Sequence, residues 1–226
     1  MDAFCQLINS CLHRNQDRHG LNFGFSDETD AVDRATAIDP GDLPKEQAAI
    51  AFWLSRKYRV APEPISALVA EAYDIGQQKR IDPTLILAVM AIESGFNPFA
   101  QSTMGAQGLM QVRTEVHTDK YDNFGGDFAA FDPVANLRVG VEVLREAIQR
   151  NGGIEAGLRQ YVGAALSGED GGYVNKVLAE QQRIKDVAHG KQVSTQTVKP
   201  NEEDGLVELW DKAKSLAPFK ENPSKP

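Results

Sequence analysis

The 226-residue chain contains no long apolar run. Its longest, Leu85 to Ile92, falls far short of the ~20 residues needed to cross a bilayer, so no membrane span is expected. The start, Met1-Asp2-Ala3-Phe4-Cys5-Gln6, has neither a basic opening nor a continuous apolar stretch, and it does not read as a secretory signal. Basic stripes are also missing. A net charge of -8 and a pI near 5.1 exclude the electropositive surface that nucleic-acid binding requires, but they permit a neutral or mixed-charge polymer such as a glycan. Cysteine is scarce. Cys5 and Cys11 both lie in the N-terminal segment with His13 and His19 behind them, spaced more widely than zinc-binding pairs usually are, so they read as free or incidental thiols, with a disulfide between them the open alternative. No metal and no cofactor are expected. Strand patterns and internal repeats are absent too, which makes the fold class all-α.

Three regions can be distinguished. Residues 1–43 mix polar, charged and glycine residues without a sustained period, and read as a polar, mobile leader. Periodicity begins at Pro44. Ala49, Ile50, Trp53, Leu54 and Tyr58 share one helical face, and this helix stops before Pro62 and Pro64. Ile65, Leu68, Val69, Ala72 and Ile75 then form the stripe of a second amphipathic helix. Further helices are expected from Asp132-Pro133 to Asn151-Gly152-Gly153, around Ile154–Ala165 and over Tyr173–Val187, which makes residues 44–188 one helical domain. Residues 189–226 form a polar tail with a short amphipathic helix carrying Leu206, Leu209, Trp210, Ala213 and Leu216.

The helix opened by Asp82-Pro83 differs from the others. Asp82 is a favoured N-cap and Pro83 a favoured first-turn residue. The run Leu85-Ile86-Leu87-Ala88-Val89-Met90-Ala91-Ile92 is apolar on every side, as expected of a central helix wrapped by others. It ends in Glu93-Ser94-Gly95. A carboxyl at the end of a buried helix should be hard to ionise, because desolvation and the negative end of the helix dipole both disfavour its charged form. Such a group can stay protonated near neutral pH and give a proton to a departing oxygen, as general-acid cleavage of a glycosidic bond requires. A solvent-facing terminal glutamate is the simpler reading of the same position.

Glu93-Ser94-Gly95-Phe96-Asn97-Pro98, then Ala100 and Ser102, then Gly105-Ala106 and Gly108-Leu109-Met110-Gln111 together resemble the catalytic domain of soluble lytic transglycosylases, which is related to goose-type lysozyme. A third block, Phe131-Asp132-Pro133 through Asn136, Gly140 and Leu144, is similar to the family's helix after the active-site cleft. The resemblance covers about residues 65 to 185. It implies a lysozyme-like helical domain with a buried central helix and a substrate cleft, and a peptidoglycan glycan strand as partner. The implied reaction breaks the bond between N-acetylmuramic acid and N-acetylglucosamine and leaves 1,6-anhydro-muramic ends. Glu93 would be the single acid and then base, with Ser102, Met110 and Gln111 lining the cleft and Tyr161 standing near Glu93. Such a substrate would place the protein in the periplasm or cell envelope.

Each of these positions also has a plainer reading. Gln111 can cap a loop, Leu109 and Met110 can be core, Tyr161 can be packing, and Phe96 and Phe99 read as core. Two departures from the family pattern stand out. Gln160-Tyr161-Val162-Gly163-Ala164 occupies the place of the family's Ala-Tyr-Asn-Ala-Gly, and Val112-Arg113-Thr114 follows the Gly-Leu-Met-Gln run. Two other activities fit the same residues. One is a hydrolytic muramidase with a second carboxylate drawn from Asp119, Asp122, Asp127, Asp132, Glu169 or Asp170. The other is a peptidoglycan-binding module without turnover.

Overall fold

The computed structural model describes residues 37–163 and 170–196. Cys5, Cys11, His13, His19 and the amphipathic helix expected over residues 206–216 lie outside them. The described part is all-α apart from one small hairpin. Its helices are α1 (Lys45–Tyr58), α2 (Pro62–Lys79), α3 (Pro83–Glu93), the single turn α4 (Thr118–Tyr121), α5 (Pro133–Asn151), α6 (Ile154–Tyr161) and α7 (Tyr173–Ala188).

Packing begins earlier in the chain than periodicity suggested. The Ile38 N–H donates to the Glu63 carbonyl (3.1 Å), Asp39 caps the short 3₁₀ turn Pro40–Asp42, and Pro40 is buried. Residues 37–43 therefore belong to the packed domain and not to a mobile leader. Proline imposes no helical or strand period, so this segment offered nothing for a periodicity reading to detect. At the other end the Trp53 indole donates to the Val193 carbonyl (3.0 Å), which ties the chain beyond α7 to α1.

α3 is the central element. Every residue from Thr84 to Ala91 is buried. Its N-terminus forms as the sequence implies, with the Asp82 carboxylate accepting from the Thr84 amide (2.9 Å) and Pro83 in the first turn. α2 and α7 pack against it. Pro62 and Pro64, which stop α1, themselves occupy the first turn of α2, where a missing N–H costs nothing.

α7 runs antiparallel to α3, as three contacts show. Tyr173, at the start of α7, meets Glu93 at the end of α3, while Gln181 and Lys185 reach Asp82 at its beginning. At the far edge, α5 starts at the predicted Asp132 cap, with its carboxylate accepting from the Ala135 amide (2.7 Å), and it ends at Gly152.

Residues 101–131 connect α3 to α5 over one face. Ala106–Gln107 (β1) and Val112–Arg113 (β2) make a two-stranded antiparallel hairpin, with Ala106 opposite Arg113 and Gln107 opposite Val112. The segment from Thr118 to Gly126 reads as an irregular spacer, yet it forms helical turns and completely buries Tyr121.

Candidate active site

Glu93 is the last residue of α3, two positions beyond Ala91, where a run of eight consecutive buried residues ends. Its carboxyl Oε1 accepts a hydrogen bond from the Tyr173 hydroxyl at 2.6 Å. Burial raises the carboxyl to about 7, against a partial opposing effect of the Tyr173 bond, which favours the charged form. Among the described residues no other charge contributes to this value. Glu93 is thus about half protonated near neutrality, able both to give and to retake a proton.

The chain turns sharply after Glu93. Gly95 and Phe96 both have positive φ, 59° and 65°, and the buried Phe96 ring packs edge-on against Tyr58 with centroids 5.2 Å apart. A left-handed phenylalanine is uncommon and is held here by its packing. Ser94 joins the helix end to the facing loop, its hydroxyl donating to the Leu109 carbonyl at 2.8 Å. Phe99, expected in the core with Phe96, is 71% exposed. It lies past the Asn97-Pro98 turn, and the Phe99 amide is taken by the Asn97 side chain (3.0 Å), which holds this part of the chain at the surface.

Asn136 organises the facing loop from the first turns of α5. Its buried side chain accepts from the Met110 amide (2.8 Å), and its amide nitrogen lies within bonding distance of the carbonyls of Gln107 and Ala130 (both 2.9 Å) and the Tyr121 hydroxyl (3.0 Å). Gly108 passes directly over it. A Cβ at this position would stand 2.3 Å from both the Asn136 amide nitrogen and the Ala130 carbonyl oxygen, and φ is 76°. Only glycine fits.

The residues expected to line the site fall into three groups. Met110 is buried with its side chain packed into the space left by Gly140, where a Cβ would come within 2.6 Å of it. It has no surface to offer a sugar, so its assignment as a substrate contact is corrected to core. The cause is the missing side chain at Gly140, which sequence spacing from residue 110 does not reveal. Ser102 and Gln111 are partly buried and occupied by the loop itself. The Ser102 hydroxyl accepts from the Ala106 amide (3.0 Å), and the Gln111 amide donates to the carbonyls of Ala100 and Gly108 (both 3.0 Å). Tyr161 does approach Glu93 closely enough that the carboxylate's charge adds to burial in raising its phenol. Its hydroxyl, however, donates to the Met110 carbonyl at 2.7 Å and not to Glu93.

The direct partner of Glu93 is Tyr173, which sequence reasoning treated only as the beginning of a helix. One signal was available. Tyr173 heads the same stripe as Val174, Val177, Gln181 and Ile184, so a hydroxyl-bearing ring starts a buried face immediately after Gly171-Gly172. Burial and the neighbouring Glu93 hold its phenol far above the ordinary range, so it acts here as a donor and not as an acid.

The candidate second carboxylates are accounted for as follows. Asp132 caps α5, and Asp170 accepts from the amides of Gly172 (2.9 Å) and Val174 (3.2 Å) at the start of α7. Asp119 and Asp122 are exposed. The Glu169 residue and the Asp127 side chain lie outside what the structure describes.

A cavity of about 430 Å³ lies elsewhere, lined by Leu68, Phe96, Pro98, Leu109 and Val134 among others, and Glu93 is not in its walls. No group of three or more metal-binding side chains occurs among the described residues. No described helix is long and apolar enough to cross a membrane.

A largely buried carboxyl at the end of a core helix, bonded by a tyrosine and faced by a glycine-dependent loop, thus sits on an all-α, lysozyme-like frame. Residues 72–179 match the family described as "Transglycosylase SLT domain". A protein named "Transglycosylase" from Enterobacteria phage PRD1 is 35% identical over 86 residues, which are 38% of this chain and 31% of that protein. The chain thus spans about a third of the length of this curated relative.

Proposed function

We propose that the chain is a peptidoglycan lytic transglycosylase that cleaves the β-1,4 bond between N-acetylmuramic acid and N-acetylglucosamine with Glu93 as its single acid and base. The observation that carries this reading is the Glu93 carboxyl raised to about 7 by burial within a segment that matches the transglycosylase SLT family. Protonated Glu93 gives its proton to the glycosidic oxygen as the bond to C1 breaks. The oxocarbenium-like charge is then stabilised from within the sugar by the 2-acetamido group. Ionised Glu93 takes the proton from the muramic C6 hydroxyl as that oxygen closes on C1. The products are a 1,6-anhydro end and a free 4-hydroxyl. An intramolecular nucleophile starts with a large advantage in effective concentration over water.

Tyr173 supports both halves of this cycle. Its hydroxyl holds one carboxyl oxygen of Glu93 in place and stabilises the anion formed after the first transfer. Ser102 and Gln111 form the loop wall opposite, and Tyr161 braces that wall through the Met110 carbonyl.

A hydrolytic muramidase would need a second carboxylate to direct water. The engagement of Asp132 as the α5 cap and of Asp170 by amides at the start of α7, and the absence of any other charge acting on Glu93 among the described residues, weigh against it. The bond attacked lies in the cell wall, so the proposed place of action is the periplasm or cell envelope.

Digestion of purified sacculi followed by mass spectrometry tests the reaction. The expected fragments are one water lighter than hydrolytic ones and lack a reducing muramic end. Dominant reducing ends would favour the muramidase, and no release at all from folded protein would favour a binding module.

A further inference from the structure

Among the described residues one ion pair is deeply buried, and it lies away from Glu93. Lys57, near the end of α1, donates to both oxygens of Glu180 on α7 at 2.6 and 2.5 Å, and the two side chains are 5% and 2% exposed. The same carboxylate accepts from the Tyr58 hydroxyl (2.8 Å) and from Arg183 (3.0 Å), while the Lys57 ammonium sits 4.7 Å above the Trp53 ring. Apolar replacements often do as well for stability as such a pair, because both charges must be stripped of water. Its position suggests what else it does.

Two routes lead from Glu180 to the carboxyl of Glu93. The first runs along α7. Tyr173 precedes Glu180 by seven residues, two helical turns or about 10 Å on the same face, so anchoring Glu180 to α1 sets the rotation with which α7 presents Tyr173 to Glu93. The second runs through Tyr58. Its hydroxyl is held by Glu180, and its ring packs on Phe96 and is the nearest neighbour of the Gly95 α-carbon face, in the left-handed turn that directly follows Glu93. One carboxylate thus holds both the donor on Glu93 and the turn behind it.

We propose that Glu180, paired with Lys57, is a positioning residue for Glu93, setting the Tyr173 hydrogen bond through α7 and the Ser94–Phe96 turn through Tyr58. The pair touches neither substrate nor reacting atoms and acts only through these contacts. The proposal rests on Glu93 being the acid of the reading above.

The test uses the full chain with the double substitution Lys57→Met/Glu180→Leu, which removes both buried charges at nearly constant volume and leaves only the solvent-exposed Arg183 guanidinium without its partner. Turnover on sacculi and ¹³C titration of the Glu93 carboxyl are read in parallel. The expected result is a melting temperature within a few degrees of wild type, kcat lower by about tenfold, and KM changed less than twofold. The Glu93 titration should move upward, toward that of Tyr173→Phe, because the bond that favours the charged form is loosened. Tyr58→Phe, which keeps the ring on Phe96 and cuts only the hydroxyl from Glu180, carries the test if the double variant does not fold, with the same upward shift expected. A folded variant with wild-type kcat and an unmoved or lowered Glu93 titration would overturn the proposal and leave the pair a purely structural one. Wild-type protein that releases no product would instead sink the proposed function, while the titration still reports on positioning.

Discussion

α3 and the loop from Gly105 to Gln111 flank the same carboxyl and are built by opposite rules. α3 is held mainly by apolar burial: eight successive positions are buried, seven of them apolar, and its side-chain hydrogen bonds fall at the two ends, at Asp82 and Thr84 and at Glu93. The loop has little apolar content beyond Leu109 and Met110, and is held by named hydrogen bonds from Asn136, Gln111, Ser102 and Tyr161. Burial is non-directional and tolerates exchange of one apolar residue for another, whereas a hydrogen-bonded loop depends on individual atoms. The helix therefore sets the proton affinity of Glu93, and the loop sets the shape of what faces it.

The largest effect should come from the helix side. Glu93→Gln is expected to lower turnover by roughly 10²–10⁴-fold or more, since the amide neither gives nor retakes a proton. The same variant should be more stable than wild type at alkaline pH. Glu93's folded value, about 7, lies above its ordinary 4.5, so its contribution to stability is fully present below about pH 4.5 and is lost as pH rises through about 7. Removing the charge should recover on the order of 3 kcal/mol above pH 8 and little at pH 4, read by denaturant unfolding at both values. Equal effects at the two pH values would show that burial does not govern Glu93.

On the loop side, Asn136→Ala should cost about 2–4 kcal/mol, because the Met110 amide, the Gln107 and Ala130 carbonyls and the Tyr121 hydroxyl lose their partner together. Gly108→Ala should be comparably damaging through its clash with Asn136 and Ala130. If both variants kept native stability and turnover, the loop would not depend on these atoms and the contrast with α3 would collapse.

Tyr173→Phe sharpens the comparison where the two regions meet. The Tyr173 bond lowers Glu93's proton affinity, so its removal should shift the basic limb of the pH–rate profile upward and reduce kcat by roughly tenfold, with stability little changed. The smallest effect is expected from Ser102→Ala. Its hydroxyl is used on turn amides in a partly buried position, so stability should fall by about 0.5–1 kcal/mol and KM should change by less than a factor of about two. A large rise in KM without loss of stability would instead place that hydroxyl on the sugar.

Much of the frame was legible in the residues. The stripes of α1, α2, α5 and α7, the Asp82-Pro83 and Asp132-Pro133 starts and the greasy run ending at Glu93 are local patterns whose period or capping chemistry reports the element directly. The site was legible only in part. Met110 read as a contact because the Gly140 that accommodates it is thirty positions away, and Phe99 read as core because apolarity does not say whether a turn has already carried the chain to the surface. Residues 37–43 went unseen because Pro40 packs without any period.

The sequence by itself determined an all-α chain with one carboxyl carried out of a buried helix, because 3.6-residue periodicity and uninterrupted apolarity are properties of neighbouring positions. Only the tertiary structure decided which tyrosine bonds that carboxyl, that Asn136 serves as the hub of the facing loop, and that Lys57 and Glu180 meet, since Tyr173 lies 80 residues from Glu93 and Glu180 lies 123 from Lys57. Contacts at such separations depend on how whole helices cross and rotate against one another, and no local pattern encodes that.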